Sequence, residues 1–168
     1  VAIASEEEDS RIYMSFAEDL AERYPDTAKI FEEMAEEERG HRHRLLETYE
    51  QRFGPHLPPI RRDDVKGFLR RRPIWLTKNL PLDTIRKEVE TMELEAERFY
   101  AKAAEKAEDT GVRRLLGDLA AQGKAIIVIS SELPEILRLP HRIAVLCEGR
   151  LTGELDIADA TQVKIMEL

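Results

Sequence analysis

The stretch FEEMAEEERGH, Phe31 to His41, decides the fold. Phe31, Met34 and Ala35 are spaced three and four apart, and Leu45 and Tyr49 resume the same stripe, as on a helix with one apolar face. Positions 38, 41 and 42 continue that stripe, so Glu38 and His41 are expected to face inward while Glu37 and His43 face solvent. The E-x-x-H spacing sets acid and imidazole on one side of the helix. Buried there, both are costly unless paired or bound to metal. Carboxylate oxygen together with imidazole nitrogen suits iron, manganese or zinc. An E-x-x-H pair is common, however, and residues 1–120 carry 27 acids, most of which must be solvated surface. The pair gains weight only from what stands around it.

Around it the sequence predicts four helices. The first runs from about Ile3 to Arg23 and is ended by Pro25. The second opens at Asp26, whose carboxylate can cap free backbone amides, and continues to about Phe53 before Gly54 and Pro55. A connection from Gly54 to Pro81 holds five prolines and room for a short helix at Asp63 to Arg71. The third helix is capped by Asp83 and runs to about Glu108; the fourth starts near Gly111 with Val112, Leu115, Leu116 and Leu119 on one face. The two halves repeat one another. Ile12-Tyr13 with Ala17-Glu18 recurs as Phe99-Tyr100 with Ala104-Glu105, an offset of 87, and Phe31 with Ala35 recurs as Leu116 with Ala120, an offset of 85. Short loops within each pair and a long crossover between pairs describe a four-helix bundle. Glu6 precedes Tyr13 by seven residues, two helical turns, and Glu93 precedes Tyr100 in the same way.

Composition bounds the function. With 168 residues and a formal net charge of −8, the chain can bury a sizeable core but lacks the clustered basic charge that phosphate neutralisation needs, so no nucleic acid is expected as a partner. A single cysteine, Cys147, allows no internal disulfide and fits a reducing compartment. The longest aliphatic run, Ala125 to Ile129, is far short of the roughly 18 residues a membrane span requires. The N-terminus runs directly into Glu6, Glu7 and Glu8 without a secretory pattern, and a cytoplasmic location is the expectation. Composition then shifts near residue 121: residues 1–120 hold ten Ile and Val, and so do the last 48. β-branched residues favour strands, so the expected division is a helical bundle over 1–120, with helix extending to about 133, and a separate segment over 121–168.

The segments AIASEEEDSRIY, FEEMAEEERGH, RRPIWL, MELEAERFYAKAAE and VRRLLGDLA together resemble the ferritin-like, rubrerythrin-type di-iron bundle. The closest branch is the erythrin domain of membrane-bound ferritins, fused in its full-length form to a vacuolar-type iron transporter and so tethered to a membrane. In that family helices one and three each give a Glu, and helices two and four each give an E-x-x-H. By motif the resemblance implies metal ligands Glu6, Glu38, His41 and Glu93, with Tyr13 and Tyr100 orienting carboxylates through hydrogen bonds. It further implies iron as the cofactor, with zinc or manganese as substitutes, and a homodimer. The oxidoreductase activity it implies is ferroxidase- or peroxidase-like. No C-x-x-C pair exists for a rubredoxin-like electron-transfer module.

The fourth helix departs from the pattern. At the 85-residue offset Glu38 maps to Gly123 and His41 to Ile126, neither of which can bind metal, so catalysis is expected to suffer more than metal binding. The C-terminal runs GKAIIVISSELPEILRLPHRIAVLCEGRLTGEL and ATQVKIMEL resemble the end of a nucleotide-binding cassette from a bacterial sugar importer of the ABC class. There the aliphatic run is a core strand, SSELPEIL opens a helix, and RIAVL and GRLTGEL are strands, so a small α/β appendage is expected. The segment lacks a G-x-x-x-x-G-K-[ST] loop, and no nucleotide binding is expected of it. Between Val112 and Leu133 two outcomes compete: a helix continuing across Gly123 to about Ser130, limited by Pro134, or a helix that stops at Gly123. Gly costs a helix about 1 kcal/mol, whereas an open bundle groove exposes apolar side chains at ~1.5–3 kcal/mol each, which favours continuation. A second function class, a bundle serving structure or interaction without metal, stays open. Arg70, Arg71 and Arg72 are read as a solvated turn beside a core Trp75, Met14, Met34 and Met92 as packing, and His56 and His141 carry no assignment.

Overall fold

The computed structural model describes residues 1–57, 73–122, 133–138 and 140–168. Four helices dominate: α1 (Ala2–Leu20), α2 (Pro25–Phe53), α3 (Leu82–Lys106) and α4 (Thr110–Ala121). Helix α1 lies along α2 and α3 along α4, giving two hairpins. The described part of the crossover enters α3 through a 3₁₀ turn, Ile74–Leu76. The expected short helix at 63–71, the arginines at 70–72 and the continuation to Ser130, with Gly123 and Ile126, all lie outside the described residues.

Two helix starts differ from expectation. Asp26 and Asp83 sit in the first turns of α2 and α3 but neither caps its helix; Tyr24 and Pro81 occupy the cap positions without side-chain bonds. Pro25 takes the first helical position of α2, where its missing N–H would have had no partner anyway. Helix α1 ends at Leu20, three residues before Arg23, and a turn follows in which the Arg23 and Tyr24 amides both bond the Leu20 carbonyl, at 3.0 and 2.7 Å. Helix α4 has a true side-chain cap: Asp109 accepts from the Val112 amide at 2.8 Å. That bond, with the Arg52 guanidinium beside it, holds the Asp109 carboxyl below its usual range.

The core sits between the hairpins. Ile12, Tyr13, Phe16 and Leu20 of α1 meet Phe31, Met34 and Ala35 of α2 and Ile85, Val89 and Met92 of α3. Phe16 and Phe31 pack edge to face at 5.7 Å. Buried Ser10 donates to the Ala35 carbonyl at 2.9 Å, fixing α1 against α2. The described part of the crossover is fastened to α1 where Ser15 donates to the Trp75 carbonyl at 2.9 Å and where Asp19 accepts the amides of Asn79 and Leu80 at 2.7 and 3.3 Å. Trp75 is half-buried against this core, and Met34 and Met92 are buried in it. Farther along the bundle, Leu45, Tyr100 and Leu119 form a second apolar cluster with Leu115, Leu116 and Ala120 of α4.

Beyond α4 the chain forms α5 (Leu133–Ile136), an antiparallel hairpin of β1 (Arg142–Cys147) and β2 (Arg150–Asp156), and α6 (Gln162–Met166). Pro134 falls in the first turn of α5, where it is tolerated. The hairpin loop Glu148-Gly149 has positive φ at both residues, as a two-residue type I′ turn requires. The strands expected at RIAVL and GRLTGEL are therefore present. Among the described residues no helix is long and apolar enough to cross a membrane.

Candidate metal centre

Glu6, Glu38 and His41 come from two helices and are all buried. Their ligating atoms lie within 4.8 Å of one another. His41 Nδ1 stands 2.9 Å from Glu38 Oε2 and 3.2 Å from Glu6 Oε2. Burial alone would push the imidazole down, but the hydrogen bonds and negative charges of Glu38 and Glu6 outweigh it and raise its pKa to about 9. Burial and the neighbouring Glu38 raise the Glu6 carboxyl, against the pull of His41 and Tyr100. Two buried carboxylates facing one imidazole give a concentrated negative site, with the oxygen and nitrogen donors that a borderline divalent cation takes.

The two tyrosines act across the bundle, not along their own helices. Tyr13 of α1 donates to Glu93 Oε1 of α3 at 2.6 Å, and Tyr100 of α3 donates to Glu6 of α1. Seven residues along a helix is about 10 Å, too far for Tyr13 to reach Glu6. The antiparallel course of α1 and α3 brings each tyrosine level with the other helix's acid, and both pairs keep the same register. Burial and the adjacent carboxylates push both phenols up, so each hydroxyl keeps its proton and serves as a donor. Glu93 is half-buried and stands outside the three-residue cluster.

The inward positions of Glu38 and His41 and the outward ones of Glu37 and His43 match the stripe read from the sequence. Sequence reasoning missed one neighbour: exposed Glu37 places Oε1 3.7 Å from His41 Nε2, the far ring nitrogen. The i, i+4 spacing was available to find it.

A model of the family described as Rubrerythrin matches residues 1–125. The curated relatives share a shorter stretch with this chain and carry names of a different kind. The chain is 68% identical over 57 residues to a putative ribose/galactose/methyl galactoside import ATP-binding protein 3 of Burkholderia ambifaria, covering 34% of this chain. It is 54% identical over 55 residues to the xylose import ATP-binding protein XylG of Moorella thermoacetica, covering 33% of this chain. In each case the chain spans only 11% of the relative's length. No solved structure matches.

Proposed function

Since the chain belongs to the rubrerythrin family, we propose that its bundle binds a metal, iron in the first instance, through Glu6, Glu38, His41 and Glu93. The convergence of two buried carboxylates and an imidazole on one point carries this reading. In it, Glu6 and Glu38 supply anionic oxygens, His41 gives its Nδ1 once deprotonated, and Tyr100 fixes the Glu6 carboxylate through a hydrogen bond. Tyr13 fixes Glu93 in the same way. Bound iron would supply the redox chemistry for ferrous oxidation by dioxygen or for peroxide reduction, weakened here because the register positions 123 and 126 offer no ligand. The finer likeness to the erythrin domain of membrane-bound ferritins belongs to the same reading, as do a homodimer and a cytoplasmic site of action.

Metal analysis of protein purified without chelator, followed by anaerobic ferrous titration and oxygen-uptake measurement, tests it. Bound metal with slow oxygen uptake is the expected result; a chain that takes up no metal refutes it. The alternative, a purely structural or interaction bundle, draws on the His41 contacts to Glu6 and Glu38, which satisfy the buried charges without an ion; the same metal analysis separates the two. For the segment 121–168 we propose an appended unit without nucleotide function. The import proteins it resembles are named as ATP-binding, but this chain carries no phosphate-binding glycine loop, and a titration with ATP is expected to give no heat.

A further inference from the structure

The α1/α3 pairs expose a pseudo-symmetry in the site. The 87-residue offset exchanges Glu6 with Glu93 and Tyr13 with Tyr100, and the two tyrosine–acid bonds are each other's counterparts under that exchange. Each half of the site therefore has an acid from one long helix and a tyrosine from the other. The first half is completed by Glu38 and His41 of α2. The second would be completed by donors at or beyond the C-terminal end of α4, and there the sequence supplies none: from Leu119 to Ser131 there is no Asp, Glu, His or Cys. The part of α4 that is described turns Leu115, Leu116, Leu119 and Ala120 toward the bundle. The same stretch in a second copy of the chain carries the same residues and so offers no donor either.

We propose that this chain holds one divalent cation, not two, seated in the half-site of Glu6, Glu38 and His41, while the half-site of Glu93 and Tyr13 is closed by their mutual hydrogen bond. The proposal rests on the metal-binding reading above and narrows it, withdrawing Glu93 from the ligand set and leaving it to Tyr13. A single borderline cation such as Zn²⁺, Mn²⁺ or Fe²⁺ matches the donor set of two carboxylates and an imidazole. A dinuclear pair fits poorly, since beyond any carboxylate oxygen shared with the first ion a second ion would find only Glu93, already held by Tyr13, and no imidazole. The imidazole also argues against Mg²⁺ and Ca²⁺, which prefer all-oxygen shells.

The test is calorimetric titration of the full metal-free chain with Mn²⁺, with electron paramagnetic resonance of the loaded protein and the same titration of Glu38→Gln. One Mn²⁺ per chain with an uncoupled spectrum supports the proposal. Two ions per chain, or the spectrum of an exchange-coupled pair, overturns it. Glu38→Gln, checked for folding by thermal melting, is expected to lose binding at least 100-fold with no residual site; retention of one full equivalent at wild-type affinity would place an ion in the other half and overturn it as well. Should that variant not fold, the wild-type stoichiometry and spectrum decide alone. A wild-type chain that binds no metal refutes the metal-binding reading itself, a result distinct from a count of two.

Discussion

Metal binding at this site should be coupled to proton release, and the structure sets the size of the coupling. His41 has a pKa of about 9 in the metal-free bundle because Glu38 and Glu6 hold its imidazolium, overcoming the effect of burial. A metal requires the neutral ring. At pH 7 the ring sits two units below its pKa, so stripping the proton costs about 3 kcal/mol, or roughly a hundredfold in apparent affinity. Between pH 7 and 8.5 the apparent association constant is therefore expected to climb about tenfold per pH unit, levelling off above pH 9. Glu6, raised by burial, adds a share that grows toward lower pH. Mn²⁺ titrations in buffers of different ionisation enthalpy measure the released protons directly, with about one per ion expected at pH 7. The same shift governs the metal-free fold. A group whose pKa is raised on folding stabilises below its unfolded value and loses that contribution as pH rises through the folded one. His41 thus contributes fully below pH 6.5, and this is lost as pH climbs through about 9, so the metal-free melting temperature falls over that window. An affinity flat across pH 7 to 8.5, with a binding enthalpy independent of buffer, would refute the assignment of His41 as a protonated partner of the two acids.

Other consequences can be measured separately. Tyr100→Phe removes the hydroxyl that holds Glu6 and is expected to destabilise the chain by about 1.5–3 kcal/mol, the range for a hydrogen bond to a charged group, read from urea unfolding. Ile85→Ala empties a fully buried position in the interface between the hairpins and is expected to cost about 2–5 kcal/mol in the same assay; a change below about 1 kcal/mol would show that α3 does not pack there. The double substitution Gly123→Glu with Ile126→His supplies the donors that the 85-residue offset identifies as missing. It should raise Mn²⁺ stoichiometry from one to two per chain, and an unchanged count would break the correspondence between α2 and α4.

Much of the bundle was legible because its helices are long and strongly periodic. The stripe through Phe31, Met34, Ala35 and Leu45 placed Glu38 and His41 inward without any knowledge of their neighbours. The repeat between Tyr13 and Tyr100 was visible too, but the chain alone does not say which acid each tyrosine meets. That depends on the antiparallel course of α1 and α3, a tertiary relation, which sets each tyrosine against the acid of the other helix. Caps were the least readable feature. Asp26 and Asp83 have the right chemistry, yet each lies inside its helix's first turn, and neither holds the cap position. Asp109, by contrast, stands one residue before α4 and does cap it. The strands of the C-terminal hairpin were read from the resemblance to the importer cassette and from the β-branched content of the last 48 residues, whereas the Glu148-Gly149 turn between them emerged only in the structure.

The central claim is that Glu6, Glu38 and His41 hold a cation. Anomalous diffraction from crystals grown with Mn²⁺ and recorded on both sides of the manganese absorption edge tests it most directly. A single peak bonded to carboxylate oxygens of Glu6 and Glu38 and to Nδ1 of His41 is expected. A bundle centre without any peak, with His41 still bridging the two acids, would contradict it.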